Sequence, residues 1–299
     1  MYNNKLQKMM NLGYACINMS MGKKVGTNRT MVKRTFQAKG LDYVSELALL
    51  NAKDIIKILE WNRMNGIKFF RLSSALIPWG DNIDLTQLKD YKEIKSELKK
   101  AGDFAKYWGI RITSHPGPFV VLVSPKENVV AAAIADLELH GKIFDMMGLS
   151  KTPYNKINIH CNGVYGDKIA AMDRFCKNFK RLSNSVRSRL TIENDDKASM
   201  YSVCDLMYIH KRIGIPIVFD YHHYKFCPGV LSEDEALELA ASTWPIGITP
   251  VVHYSESKEG SKPQAHSDYI KSLPNTYGIN VDIMVEAKAK ELAILPFIK

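Results

Sequence analysis

The run IPIVFD at residues 215–220 is the clearest indication of the fold, because it is short, apolar and β-branched and ends in a carboxylate. Two similar runs precede it, KINIHC at 156–161 and RLTIEN at 189–194, with amphipathic stretches between them. Near-continuous apolar strands that alternate with helices are typical of a parallel sheet buried on both faces. This part of the sequence therefore predicts successive strand–helix units.

Five further runs extend the pattern to both ends of the chain. They are NLGYACI at 11–17, IKFFRLS at 67–73, GIRITSH at 109–115, TPVVHY at 249–254 and VDIMVEA at 281–287. Eight units indicate a closed barrel rather than an open doubly wound sheet, and such a barrel takes about 250 residues. We predict an α/β fold in which residues 1–299 form a single (β/α)8 TIM barrel domain.

Helix-boundary residues separate the strands. The segment SPKE at 124–127 provides an N-cap, a first-turn proline and a capping-box glutamate, and Gly148 follows as a stop. Asn51 is predicted to precede another helix, and Ser232 to open a third. The segment Met21–Leu50 is then left as a long loop, and loops of that length in a compact domain are usually functional or disordered.

The chain is basic as well as apolar enough to fold. Hydrophobic residues make up 46% and charged residues 24%, which excludes a disordered chain. The 41 Lys and Arg exceed the 31 Asp and Glu, and the net charge of +10 predicts an anionic partner or surface. The predicted loop contributes a cluster of cations: Lys23, Lys24, Arg29, Lys33 and Arg34.

Nothing in the sequence predicts secretion or membrane insertion. The first ten residues, MYNNKLQKMM, lack the apolar stretch of a secretory signal, and no run approaches the ~18 apolar residues of a membrane span. The five cysteines form no CxxC pair, so we expect reduced thiols. We expect an intracellular protein, cytoplasmic or nuclear, with no membrane association and no obligatory protein partner.

Ligand-type side chains lie where the predicted strands end, which is where βα barrels carry their active sites. Six strand ends carry an imidazole or a carboxylate: His115, His160, Glu193, Asp220, His253 and Glu286. His223 and His266 lie in the following loops and can join them, although spacing from Asp220 alone leaves His222 as an alternative to His223. Clustered carboxylates repel one another unless cations separate them, and this donor set suits Zn²⁺, Mn²⁺ or Fe²⁺.

Two loops near these residues have alternative interpretations. The segment HPGPF at 115–119 is either a proline-rich turn whose Phe119 packs into the barrel rim, or a support for an exposed ring that stacks on or wedges between bases. The segment NGVYGDK at 162–168 resembles a weak phosphate-binding turn. It lacks a Walker pattern, so it predicts no nucleotide site.

A series of sequence blocks occurs in a specific order between about Leu12 and Glu291: LGYACINMSMG, FRLSSALIPWG, ITSHPGPFVVLVSP, IHCNGVYGDK, TIENDDK, IPIVFDYHHYKFCPG, TWPIGITPVVHYSES, QAHSDY and DIMVEAKAKE. In this order the blocks resemble the UV damage endonucleases, metal-dependent DNA repair enzymes related to endonuclease IV. The resemblance implies a DNA-binding groove, two or three divalent metal ions (manganese ahead of zinc) and damaged double-stranded DNA as substrate. It also implies incision immediately 5′ to a cyclobutane dimer or 6-4 photoproduct, which leaves a 3′-hydroxyl and a 5′-phosphate.

The resemblance also implies roles for individual residues. It assigns metal ligation to eight of them: His115, His160, Glu193, Asp220, His223, His253, His266 and Glu286. The adjacent pair is thereby decided in favour of His223, and catalysis is expected to depend most on Glu193, His223 and His253, with Glu193 bridging two metals. Tyr14 and Asn18 fall where the family places lesion-side contacts. We expect further DNA contacts from Lys23, Lys24, Arg29, Arg71, Pro118 and Phe119.

Three positions depart from the family pattern. Ala75 stands where some members have a histidine, and Val251 where some have a lysine two residues before the seventh-strand histidine. These two departures leave the occupancy of a third metal site and the metal identity open. Pro118-Phe119 replaces a lesion-probing Gln-Tyr pair, which leaves the preferred lesion open. Two other functions fit parts of the pattern: a metal-dependent sugar isomerase or epimerase barrel, and a non-catalytic barrel that binds damaged DNA.

Overall fold

Eight parallel strands of four residues each form the centre of the molecule. The structure is a computed structural model that describes residues 10–298; the polar segment 1–9 and Lys299 lie outside the described residues. Each strand pairs with the next along the chain and the last pairs with the first, which closes the barrel and confirms the predicted TIM-barrel fold. The strands are β1 Leu12–Ala15, β2 Phe69–Leu72, β3 Arg111–Ser114, β4 Ile157–His160, β5 Leu190–Glu193, β6 Ile217–Asp220, β7 Val251–Tyr254 and β8 Asp282–Val285.

Helices surround the barrel and bury their apolar faces against the strands. Within the described residues they are α1 Lys33–Met64, α2 Tyr91–Trp108, α3 Glu127–Met147, α4 Lys168–Phe179, α5 Asn184–Arg187, α6 Val203–Ile213, α7 Tyr221–Tyr224, α8 Glu233–Ser242 and α9 Glu291–Ile294. None of the helices in this part of the chain is both long enough and apolar enough to cross a membrane. None of the five cysteines is paired in a disulfide.

A buried ion pair closes the N-terminal end of the barrel. Arg111 opens β3 and Asp282 opens β8, and Arg111 Nη1 donates to Asp282 Oδ2 at 2.8 Å. Both side chains are almost wholly buried, and Arg111 also donates to the backbone carbonyls of Tyr154 and Thr249. Because a paired and fully hydrogen-bonded charge is tolerated in a core, this end is packed, and the opposite end is left for a functional site.

The loop after β1 is shorter than the sequence predicted. Helix α1 begins at Lys33 and bends at Gly40, whose φ of 63° interrupts the helical backbone, so Asn51 lies inside the helix instead of preceding it. The Asn51 side chain accepts from the backbone N–H of Arg29 and donates to the carbonyls of Arg29 and Leu76. The predicted cap is therefore a buried brace, and only residues 16–32 form the connection.

The other helix boundaries agree more closely with prediction. Helix α3 begins at Glu127 with Lys126 as its N-cap, so the predicted capping box of Ser124 and Glu127 does not form, and Ser124 instead accepts a hydrogen bond from the N–H of Lys126. Gly148 ends this helix at a φ of 67°, a conformation that glycine adopts without steric cost. Ser232 and Glu235 form the predicted capping box of α8.

Candidate metal centre

The predicted ligand residues meet at one end of the barrel because parallel strands share their direction. His160 and Glu193 end β4 and β5 and are register partners, and Asp220 of β6 is the partner of His253 of β7. His115 and Glu286 directly follow β3 and β8, His223 lies in the short helix α7 after β6, and His266 lies in the loop after β7.

Glu193 lies at the centre of this group, and its side chain is fully buried. Its Oε2 is 3.1 Å from His115 Nε2, and its Oε1 is 3.0 Å from His253 Nδ1. His223 Nδ1 is 3.5 Å from Oε1, and His160 Nε2 is 3.8 Å from Oε2. One carboxylate thus lies next to four imidazoles, a position from which it can share its charge between two cations.

Three sets of donor atoms could each hold a metal ion, since the atoms of each set lie within 4.8 Å of one another. The sets are His115–Glu193–His253, His160–Glu193–His223 and Asp220–His253–Glu286. Glu193 and His253 each belong to two sets, so neighbouring cations would share ligands. His266 lies at the edge of the group, with its Nδ1 3.9 Å from Glu286 Oε2.

Neighbouring groups orient the imidazoles. The Nδ1 of His115 is 3.0 Å from the carbonyl of the next residue, and the Nδ1 of His223 is 2.9 Å from the carbonyl of Asn194. His160 Nδ1 is 3.3 Å from Asp195 Oδ1. The carbonyl partners of His115 and His223 assign the ring proton of those two residues to Nδ1 and leave Nε2 for a metal, an arrangement typical of metal-ligating histidines. Within the described residues, the Nδ1 of His160 makes no hydrogen bond.

The two adjacent histidines of the sixth unit have different surroundings. His223 approaches Glu193, whereas the Nε2 of His222 is 3.1 Å from the carbonyl of Gln264. The ring of His222 lies 5.1 Å from that of His266, centroid to centroid. His222 therefore supports the loop that carries His266, and the geometry places His223 in the candidate centre.

Two residues that the sequence analysis missed lie next to candidate ligands, and a third orients one of those two. Asn158 donates to Glu193 Oε2, and Thr191 donates to Asn158 at 2.7 Å. Each lies two residues before a ligand on its strand, and strand periodicity could have indicated them, since residues two apart share a face. Asp195, beside His160, lies in the loop after β5 and carried no such signal.

A buried lysine reaches the same centre from the N-terminal end of the barrel. Lys156 precedes β4 and is fully buried, and its Nζ is 3.0 Å from His253 Nε2. Burial lowers the pKa of Lys156 well below its ordinary value, which favours the neutral amine. The other ring nitrogen of His253 then faces the carboxylates, 3.2 Å from Glu286 Oε1. The sequence analysis missed Lys156 because it lies at the N-terminal end of its strand.

Burial disfavours the charged form of each buried group in the centre, whereas neighbouring opposite charges favour it, and the balance differs from residue to residue. Burial lowers the pKa of His115 to about 4, so this ring is neutral at pH 7, as a ligand must be. Burial opposes ionisation of Glu193, but the charges of His253 and His160 outweigh it and hold the Glu193 pKa well below its usual range. Burial raises the pKa of Asp220, a shift that a bound cation would reverse.

Arg71, at the third position of β2, adds a permanent charge beside the centre. Its Nη1 donates to Glu286 Oε1 within a largely buried ion pair. Burial acts to lower the pKa of Arg71, but the charge of Glu286 outweighs it and the pKa is raised. Within residues 10–298 the buried Nε of Arg71 has no hydrogen-bond partner. This guanidinium is a fixed cation beside Glu286.

The predicted DNA-contact residues of the first unit differ in exposure. Lys23 and Lys24 are exposed, whereas Arg29 is three-quarters buried and pairs with Asp54 at 2.6 Å. Tyr14 and Asn18 are fully buried: Asn18 donates to the Tyr14 hydroxyl, which in turn donates to Asn62. Direct contact of Tyr14 and Asn18 with DNA stays a prediction, and it would require both side chains to be uncovered.

The loop after β3 presents Pro118 and Phe119 to solvent. Phe119 is 88% exposed, and the turn beneath it is closed by the N–H of Val120, which donates to the carbonyl of Gly117 at 3.1 Å. The interpretation in which Phe119 packs into the barrel rim is therefore wrong, because a packed ring would be buried and this one is exposed.

The two other departures from the family pattern bring no donor to the centre. Ala75 is half-buried, and its carbonyl accepts from Asn51. Val251 is fully buried and packs in an apolar cluster with Phe69 and Trp244, among others.

Comparison with known proteins places these features in a family. The model of the family described as "UV-endonuclease UvdE" matches residues 10–299 of this chain. The UV-damage endonuclease of Schizosaccharomyces pombe is 38% identical over 95% of this chain, and the match spans 49% of that protein's own length. The UV DNA damage endonuclease of Clostridium perfringens is 34% identical over 96% of this chain and 69% of its own length. The crystal structure of SacUVDE superimposes with a TM-score of 0.85 at 34% identity, and covers 96% of both chains.

More distant barrels share the fold alone. Endonuclease IV from Thermus thermophilus superimposes with a TM-score of 0.54 at 13% identity, and a D-psicose 3-epimerase from Clostridium cellulolyticum with a TM-score of 0.56 at 12% identity. Fold likeness at that identity does not distinguish a nuclease from an epimerase. The match over residues 10–299 does, and by it this chain belongs to the UV-endonuclease UvdE family.

Proposed function

We propose that this protein is a metal-dependent DNA repair endonuclease that cuts the phosphodiester immediately 5′ to a UV lesion and leaves a 3′-hydroxyl and a 5′-phosphate. The lesions are cyclobutane dimers and 6-4 photoproducts in double-stranded DNA. The observation that carries the proposal is the position of Glu193, buried between four imidazoles at the mouth of the barrel in a member of the UvdE family.

The residues of the centre fit divalent cations. Within the described residues, Asp220 Oδ2 and His266 Nδ1 are buried without a hydrogen-bond partner, and such atoms are costly unless something binds them. The donors are imidazole and carboxylate without thiolate, a set that suits Mn²⁺ or Zn²⁺. The proposed ligands are His115, His160, Glu193, Asp220, His223, His253, His266 and Glu286, for two or three cations.

Divalent cations held there would supply the Lewis acidity that activates water and stabilises the charge of a phosphodiester under attack. The protein side chains would hold the cations and orient the substrate. Glu193 bridges two of the ligand sets, and His223 and His253 act as holders whose second ring nitrogens are fixed by Asn194 and Lys156. The guanidinium of Arg71, part of whose side chain is exposed beside Glu286, donates to a phosphate oxygen.

The exposed cations and the exposed ring supply the DNA contacts. Lys23 and Lys24 contact the sugar-phosphate backbone without regard to base sequence. Arg29 holds their loop in place through Asp54. Phe119, next to the rigid Pro118, stacks at the lesion, where paired bases are most easily separated.

A strand-cutting assay tests the proposal against its rivals. The substrate is an end-labelled duplex that carries one cyclobutane dimer, with an undamaged duplex as control. We expect Mn²⁺ to support a cut 5′ to the dimer whose 3′ end a DNA polymerase extends, and we expect EDTA to abolish the cut because the nucleophile depends on the metal. Binding without cutting would indicate a binding module, and neither binding nor cutting would favour a sugar isomerase. Undiminished cutting by fully metal-free protein would contradict the metal mechanism.

A further inference from the structure

Tyr165 occupies a strained position in the loop between β4 and α4. Its φ is 52°, in the left-handed region, and Asn162 in the same loop has a φ of 63°. Left-handed backbone is sterically unfavourable for a bulky residue but not for glycine, and such strain collects at functional sites. The next residue, Gly166, is also in the left-handed region but has no side chain to strain. At position 165 the same backbone conformation is adopted by a residue with an aromatic ring.

Hydrogen bonds anchor this loop, and one of them joins it to the loop that carries Phe119. Asn162 donates to the carbonyl of Val120, the residue after Phe119, at 3.2 Å. The Tyr201 hydroxyl donates to the carbonyl of Gly163 at 3.3 Å. The first bond joins the two loops, and both bonds anchor the backbone on the N-terminal side of Tyr165.

The ring of Tyr165 is held at one edge and open on the other side. It is 49% exposed and lies over Gly163, where an added Cβ would come within 3.0 Å of the ring. The guanidinium of Arg174 is 5.7 Å from the ring centroid, and its Nε donates to the carbonyl of Val123 in the Phe119 loop. A cation beside an exposed ring suits contact with a nucleic acid, whose bases stack and whose phosphates are anionic.

We propose that Tyr165 is a second stacking residue, which contacts an unstacked nucleobase next to the lesion while Phe119 contacts the same distorted step. The inference rests on the proposed function, since it takes UV-damaged duplex as the ligand. Tyr165 lies in the loop that follows β4 and its last residue His160, so the ring is at the same end of the barrel as the candidate metal centre. Because the turn already holds the Tyr165 ring in one position before DNA binds, less conformational entropy is lost on binding.

The chain contains a matched control for the strain. Tyr277 has a φ of 51°, is 45% exposed and is followed by Gly278 in the left-handed region, so the two Tyr-Gly turns are alike. The hydroxyl of Tyr277, however, donates to the carboxylate of Glu233 at 3.1 Å, so this ring already has a protein partner at the start of α8.

Binding to dimer-containing and undamaged duplexes, measured at one salt concentration in EDTA so that no strand is cut, tests the inference. We expect Tyr165→Gly to weaken binding to damaged DNA about tenfold. Binding to undamaged DNA should change little, and the melting temperature should not fall, because the strain is relieved. Tyr165→Phe should bind as wild type does, because the ring remains. Should Tyr165→Gly prove less stable than wild type, Tyr165→Asn takes its place, since asparagine tolerates the left-handed region.

Equal losses on both duplexes, no loss at all, or a loss in Tyr165→Phe as large as in Tyr165→Gly would overturn the inference. The same selective loss in Tyr277→Gly would do so too, because it would trace the effect to turn conformation. If wild type cuts the damaged strand and Tyr165→Gly binds it normally, only the stacking role fails. If wild type neither prefers nor cuts damaged DNA, the proposed function fails.

Discussion

Replacement of Glu193 by glutamine removes one charge from the centre while it keeps the shape of the side chain. Asn158 donates to Oε2, so the glutamine oxygen should stay on that side and its NH2 group should face His253 Nδ1. The glutamine NH2 group would then point at His253 Nδ1, where wild type has the acceptor Glu193 Oε1. Two of the three ligand sets contain Glu193, and the set of Asp220, His253 and Glu286 does not.

The size of the effect follows from this geometry. Bound Mn²⁺ should fall to at most one ion per chain, because only the set without Glu193 keeps all its charged donors. Metal stabilisation of a phosphodiester under attack is worth several kcal/mol, so the rate of strand cutting should fall by roughly a thousandfold or more at about 1.4 kcal/mol per factor of ten.

Single-turnover cutting of a dimer-containing duplex and elemental analysis of the same preparation measure the two quantities. The matched control is Glu93→Gln on α2, whose exposed ion pair with Lys53 should contribute little. Undiminished cutting with a full complement of metal would refute the bridging role of Glu193. Full metal with lost cutting would also refute it, since the carboxylate would then act in the chemistry and not in holding the cations.

Two other substitutions test separate parts of the site. Phe119→Ala should leave the melting temperature almost unchanged because the ring is 88% exposed, yet weaken binding to UV-damaged DNA by roughly ten- to a hundredfold, and equal losses on damaged and undamaged duplexes would rule out stacking. Asp54→Asn should lower the free energy of unfolding by about 1–2 kcal/mol near neutral pH. Burial opposes ionisation of Asp54, but Lys57, the N–H of Gly26 and Arg29 outweigh it and lower its pKa, so this stabilisation is present above the ordinary value of 3.8 and is lost as the pH falls through the lower folded-state pKa. A difference in melting temperature between wild type and Asp54→Asn that persists unchanged well below pH 3.8 would contradict this assignment.

The barrel and the main ligands could be predicted from the sequence because both depend on local pattern. Apolar β-branched runs alternate with amphipathic segments, so the number and order of strands can be counted along the chain. Parallel strands end at the same side, so ligand-type residues at the last positions, such as Glu193 and Asp220, had to come together once the sheet closed.

Helix boundaries were predicted well only where the cap is local. Ser232 and Glu235 are three residues apart and satisfy each other, and this can be seen in the sequence. Asn51 has the composition of a cap, but its partners are Arg29 and Leu76, more than twenty residues away. Its role as a brace inside α1 depends on tertiary packing, which overrides the local preference.

Three features of the site were decided by the tertiary structure alone. Lys156 lies at the wrong end of its strand for a site residue, and only its long side chain inside the closed barrel brings Nζ to His253. Tyr14 was predicted to contact a lesion but is buried beneath Asn18, whereas the Phe119 ring is exposed. Sequence pattern determines which residues share a strand or a face, because that follows from backbone periodicity. Burial, contact distance and pKa depend on elements far apart in the chain, and these are defined only when the barrel has closed.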